Sequence, residues 1–195
     1  MKLLALFFSL LFTSFLNAQD MKITELPYAE IPEYPDNYTA STVAARMIDG
    51  LGFRYYWATE GLNDVDLKYK SSENGRTNGE TIDHIFSLSK IIVNVTLEIP
   101  NDGFGKDTLS FMAKRKATLL NFKKASDILL KTESLEDLKI IFKSDTGTRT
   151  FPFWNNINGP IADALWHTGQ VVMLRRASGN PFNSKVNVFS GKVKE

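Results

Sequence analysis

The sequence predicts an all-α protein, an up-and-down four-helix bundle, on three observations. Four segments of roughly 20 residues repeat apolar side chains at spacings of three and four. Proline, glycine and polar runs separate them. One connection is longer than the others and carries β-branched and aromatic residues, as a short β-hairpin or irregular excursion between helices three and four would.

The first helix is expected from Tyr38 to Leu62, with Ala44, Met47, Ile48, Leu51, Tyr55 and Ala58 as its inward face. Gly50 and Gly52 lower its propensity and would permit close approach of another helix. A polar loop, "NDVDLKYKSSENGR", follows. The second helix opens on "TNGE" (Thr77 to Glu80), the S/T-x-x-E form of a capping box. Thr81, His84, Ile85, Leu88, Ile91, Ile92 and Val95 share one face, so His84 is expected on the buried side. "EIPNDGFGKD" breaks the chain. The third helix runs from about Thr108 to Thr132, with Met112, Leu119, Phe122, Ala125 and Leu129 inward and its lysines on a solvated face. "LKIIFKSDTGTRTFPF" is the hairpin candidate. The fourth helix begins near Pro160, a good first-turn residue, and ends at Ser178-Gly179 with Pro181 just beyond.

Ahead of these helices, residues 1–18 have the layout of a secretory signal peptide: Lys2, an apolar run from Leu3 to Phe12, then small and polar residues up to Ala18. The run is short for a bilayer span, which needs about 20 residues. Export is therefore expected, to a periplasm or out of the cell, with no stable membrane span after cleavage. Residues 19–37 read as an extended lead-in with three prolines, and residues 38–195 as one domain. The formal charge is +1 and falls to 0 without Lys2, and no basic block is interleaved with aromatics, which argues against nucleic acid as a partner. With no cysteine, the chain has no disulfide, thiolate ligand or cysteine nucleophile, so packing alone must hold the exported domain together.

The chemistry is concentrated in "GPIADALWHTGQVVMLRRASGNP". Asp163 and His167 are four apart, so they stack on one helical face, and Val171 and Leu174 continue the stripe. In an up-and-down bundle helices two and four run parallel. His84 and His167 would then lie roughly 10 and 12 Å from their helix starts, at matching depths. His84, Asp163 and His167 would converge near one open end. Two imidazoles and a carboxylate suit a divalent metal with free positions for water or substrate. A carboxylate–imidazole pairing without metal satisfies the same pattern.

"DHIFSLSKIIVN" in helix two and "DALWHTGQVVMLRRASGNP" in helix four resemble the DinB/YfiT-like superfamily of metal-dependent enzymes, over most of the chain after the leader. The most specific element is the "HxGQ" stretch, His167-Thr168-Gly169-Gln170. The resemblance implies a four-helix bundle with a three-histidine site, one histidine from helix two and two at i, i+4 on helix four. His84 matches the first of these and His167 the last. Asp163 stands where the family has its remaining histidine, which makes the site His-Asp-His. The implied cofactor is a divalent ion such as Zn, Ni, Mn or Fe, and the implied activity a hydrolase or transferase acting on a small molecule.

The neighbours have plainer readings. Gly169 would allow close helix packing, Gln170 would orient a ligand or cap a loop, and Arg175 and Arg176 would favour the helix dipole or bind an anion. Trp154, Asn155 and Asn158 would order the entry to helix four or rim the pocket. A second functional reading is a non-catalytic helical-bundle binding module that has lost the metal chemistry. A third is a homodimer built on helix-one aromatics such as Phe53 and Trp57.

Overall fold

The computed structural model describes residues 25–103, 105 and 107–194; the expected signal peptide at 1–18 and the lead-in up to 24 lie outside them. The chain is mostly helical, with two small two-stranded antiparallel sheets. In chain order the elements are α1 (Ala40–Thr59), α2 (Asp64–Lys68), α3 (Asn78–Thr96), α4 (Phe111–Leu129), β1 (Lys139–Ser144), β2 (Gly147–Pro152), α5 (Phe153–Asn156), a π-helical turn (Ile157–Ile161), α6 (Ala162–Ala177), β3 (Val186–Asn187) and β4 (Lys192–Val193).

Local chemistry accounts for the starts. Thr39 and Thr42 form a capping box on α1, and Thr77 and Glu80 form the expected one on α3. Ser110 caps α4. The short α2, expected as loop, is capped by Asn63, with Asp66 returning the bond to the Asn63 amide. The hairpin forms as expected, with Ile140 opposite Phe151 and Phe142 opposite Arg149. Its β1 strand is anchored by Asn101, whose amide donates to the Ile141 carbonyl at 2.7 Å.

α1 packs against α4 and α6, and α3 packs against the same two helices. Side-chain contacts fix their directions. Arg115, in the second turn of α4, donates to Thr59 Oγ1 at the end of α1, 2.9 Å away, so α1 and α4 are antiparallel. Lys114 meets Asp83 at 2.7 Å and Asn121 meets Ser89 at 3.0 Å, so α3 and α4 are parallel. Arg175, near the end of α6, bonds the Trp57 and Ala58 carbonyls at the end of α1, and the π-helical turn that leads into α6 also packs on α1. These two helices therefore run parallel.

The order is up, down, down, up. The expected up-and-down alternation is corrected: α3 and α6, the second and fourth long helices, are antiparallel. The physical reason is the length of the connection at residues 97–110, which lets α4 start beside the start of α3. Its 14 residues can reach about 46 Å when extended, against about 28 Å for the 19-residue α3, so the chain can return along the whole helix.

The core contains Ile48, Leu51, Tyr55, Ile82, Ile85, Ile92, Val95, Leu119, Phe122, Leu129, Ile161 and Val171. Met47 and Met112, expected inside, are exposed, because α1 and α4 are each covered on a narrower stripe than their apolar spacing implied. Lys114 leaves the solvated face expected for the lysines of α4 and is buried and paired with Asp83, and Arg115 beside it is buried and paired with Glu60. Phe53 is fully buried, and Trp57 is half-buried with its indole N–H on the Ala29 carbonyl. Gly52 admits a side chain rather than a helix. A Cβ there would lie 2.5 Å from the Tyr28 ring, whose hydroxyl donates to Asp49 at 2.9 Å and pins the lead-in to α1. Among the described residues no helix is long and apolar enough to cross a membrane.

Candidate metal centre

His84 lies in the second turn of α3, while Asp163 and His167 lie one turn apart at the start of α6. In an antiparallel pair, positions at equal depth from the two helix starts lie towards opposite ends, so the expected depth argument does not explain the meeting. The explanation is the helical lead into α6. Helix begins at Phe153, and Pro160, which lacks an N–H, sits inside the π-helical turn rather than starting a helix. This carries Asp163 and His167 towards the middle of a longer helical run, where α3 crosses.

All three expected residues are brought together. His84 Nε2 is 3.1 Å from Asp163 Oδ2, and His167 Nε2 is 3.3 Å from Asp163 Oδ1. The rings stand edge to face, 4.7 Å between centroids. One ligand atom from each residue lies within 4.8 Å of the others, so the group can hold a metal ion. Ligands about 2.0–2.2 Å from one cation are about 3.0–3.5 Å from one another, and each imidazole lies in that range from one oxygen of Asp163, His84 from Oδ2 and His167 from Oδ1. His84, expected on the buried side, is partly exposed, as is Asp163: their side chains are 34% and 39% exposed, which leaves room for an outside ligand.

Gln170 adds the second layer. Its Oε1 is 2.8 Å from His167 Nδ1; in the tautomer whose Nδ1–H donates to it, Nε2 carries the lone pair. That lone pair then faces a carboxylate oxygen, which is repulsive unless a cation or a proton lies between them. Of the two expected roles for Gln170, ligand orientation is the one its contacts support.

Other expectations change. Among the described residues Gly169 packs against nothing: a Cβ added there would meet none of their atoms within 4 Å. Arg175 is buried on the α1 carbonyls and Arg176 lies over the Phe182 ring, so neither faces the triad. Trp154 is exposed in a separate groove with Leu135 and Pro152, away from the site. Reading the sequence missed Arg76, Ser71, Trp166 and Met173, which line a cleft with Gln170. Only the adjacency of Trp166 to His167 signalled any of them. No family model, curated protein or solved structure matches the chain.

Proposed function

We propose that the chain is an exported, DinB-like four-helix bundle. In this reading His84, Asp163 and His167 hold one divalent ion (Zn, Ni, Mn or Fe) for a hydrolase or transferase reaction on a small molecule. The observation that carries this reading is the placement of Asp163, whose two oxygens each face a different imidazole Nε2 at close to ligand-edge distance. Without a cation a neutral His84 can still donate its Nε2–H to Asp163, but His167, with its Nδ1–H on Gln170, would need an added proton to face the other oxygen. Gln170 keeps His167 in the tautomer that presents Nε2, and Asp163 offsets one unit of the cation's charge. When bound, such an ion polarises a substrate atom and acidifies water at its open position. The exposure of His84 and Asp163 supports access for that substrate.

Metal analysis of tag-free protein tests the reading. About one divalent ion per chain in wild type, lost in His84→Ala and in His167→Ala, is the expected result. Wild type that refuses added Zn, Ni, Mn and Fe sinks it.

A second reading, a non-catalytic binding module, is supported by one observation: among the described residues no further acid or imidazole joins the group, so no separate base stands beside the ligands. A metal-loaded protein inert to ester, amide and phosphoester substrates favours this second reading.

A further inference from the structure

The triad opens beside a cleft of about 660 Å³ between α6 and the segment leading into α3. Its near end is Gln170, which also holds His167, and Thr81, one turn before His84. Its walls include Trp166 and Met173, large apolar side chains that are 73% and 64% exposed. Exposed apolar groups gathered in one concavity mark a ligand surface better than scattered ones do. Arg76 lies in the same lining. Its guanidinium makes no hydrogen bond or ion pair among the described residues. Glu80, the carboxylate that its charge reaches, is already held by the Thr77 amide and hydroxyl. Arginine presents a planar fork that matches a carboxylate or phosphate.

Gly169 completes the picture. A glycine inside a helix weakens it, and here no neighbour needs the missing Cβ for packing. What the absent side chain does is leave the cleft wall open between Trp166 and Met173.

We propose that this cleft, on the metal-site reading above, selects a small amphipathic anion. Its apolar body lies along Trp166 and Met173, its acid pairs with Arg76, and its reacting group reaches the triad beside Gln170. The lining runs along α6 from Trp166 to Ala177, eleven residues at 1.5 Å each, so the cleft follows roughly 16 Å of helix, which sets an upper bound on the length of its ligand.

Calorimetric titration of the full chain with octanoate, octanol and octylammonium tests this, in metal-chelated and zinc-supplemented protein. Octanoate is expected to bind one per chain, octanol at least ten-fold more weakly, and octylammonium not measurably. Arg76→Gln is expected to bring octanoate down to the octanol level. Gly169→Leu is expected to abolish binding of both while the helical circular dichroism is retained. Equal affinity for octanol and octanoate overturns the inference, as does absence of saturable octanoate binding in both forms, even where zinc binds. Octanoate binding that depends on Arg76 in a protein that never takes up zinc upholds the cleft and overturns only the metal reading.

Discussion

Gln170 is a half-buried amide with one decisive contact, to His167 Nδ1. Residues that hold a metal-ligating histidine from behind typically change affinity by about 10–100-fold when removed. Gln170→Leu is therefore expected to weaken zinc binding by about that factor while circular dichroism stays unchanged, measured by competition with a chromophoric chelator. Unaltered affinity would show that the contact does not position the ring. Asp49 is a different case. Burial pushes its carboxyl above the ordinary 3.8, against hydrogen bonds from Ser126 and Tyr28 and the charges of Arg46 and Lys123. Between the unfolded and folded pKa the native state binds more protons than the unfolded one, so this group's contribution declines as pH rises through that window. Asp49→Asn keeps an acceptor for the Tyr28 hydroxyl and removes the buried charge. It is expected to raise the urea midpoint at pH 7, with the advantage shrinking as pH falls towards 4. A lower midpoint at pH 7 would mean that the charge itself stabilises the fold.

Elements were legible in proportion to their local signals. The α3 start was readable because Thr77 and Glu80 are three apart and bond each other without any tertiary partner. α2 carries a comparable signal in Asn63 and Asp66, but five residues are too few to show a period, so it read as loop. The end of α6 read correctly from Gly179 and Pro181, whereas the task of Arg175 did not, because besides Asn180 its partners are 115–118 residues away. There it donates to the carbonyls of Trp57, Ala58 and Glu60 and so closes the end of α1. Arg175→Met removes those donors from a buried place, and the loss is expected to be about 3 kcal/mol. Equilibrium urea unfolding measures it; a change below about 0.5 kcal/mol would mean that water or a neighbour satisfies the carbonyls.

Across the whole molecule the triad ties α3 to α6, elements separated by α4 and the hairpin in sequence. A cation held by both helices binds the folded state and not the unfolded one. At a free concentration about 100-fold above Kd it stabilises by about 2.7 kcal/mol. For a domain of this size that raises Tm by about 5–10 °C. The shift is expected with zinc in wild type and absent in His84→Ala, by differential scanning calorimetry; equal shifts in both would place the ion elsewhere.

Periodicity and caps are properties of neighbours in the chain, so the sequence by itself determined the four long helices, the hairpin and the spacing that puts Asp163 and His167 on one face. Direction and depth depend on where connections lead. A connection as long as residues 97–110 lets α4 start at either end of α3. Only the packed structure decided that α3 and α6 cross antiparallel, that the π-helical turn shifts Asp163 and His167 to the crossing, and that Gly169 faces an open cleft, because each of these rests on contacts between residues far apart in sequence.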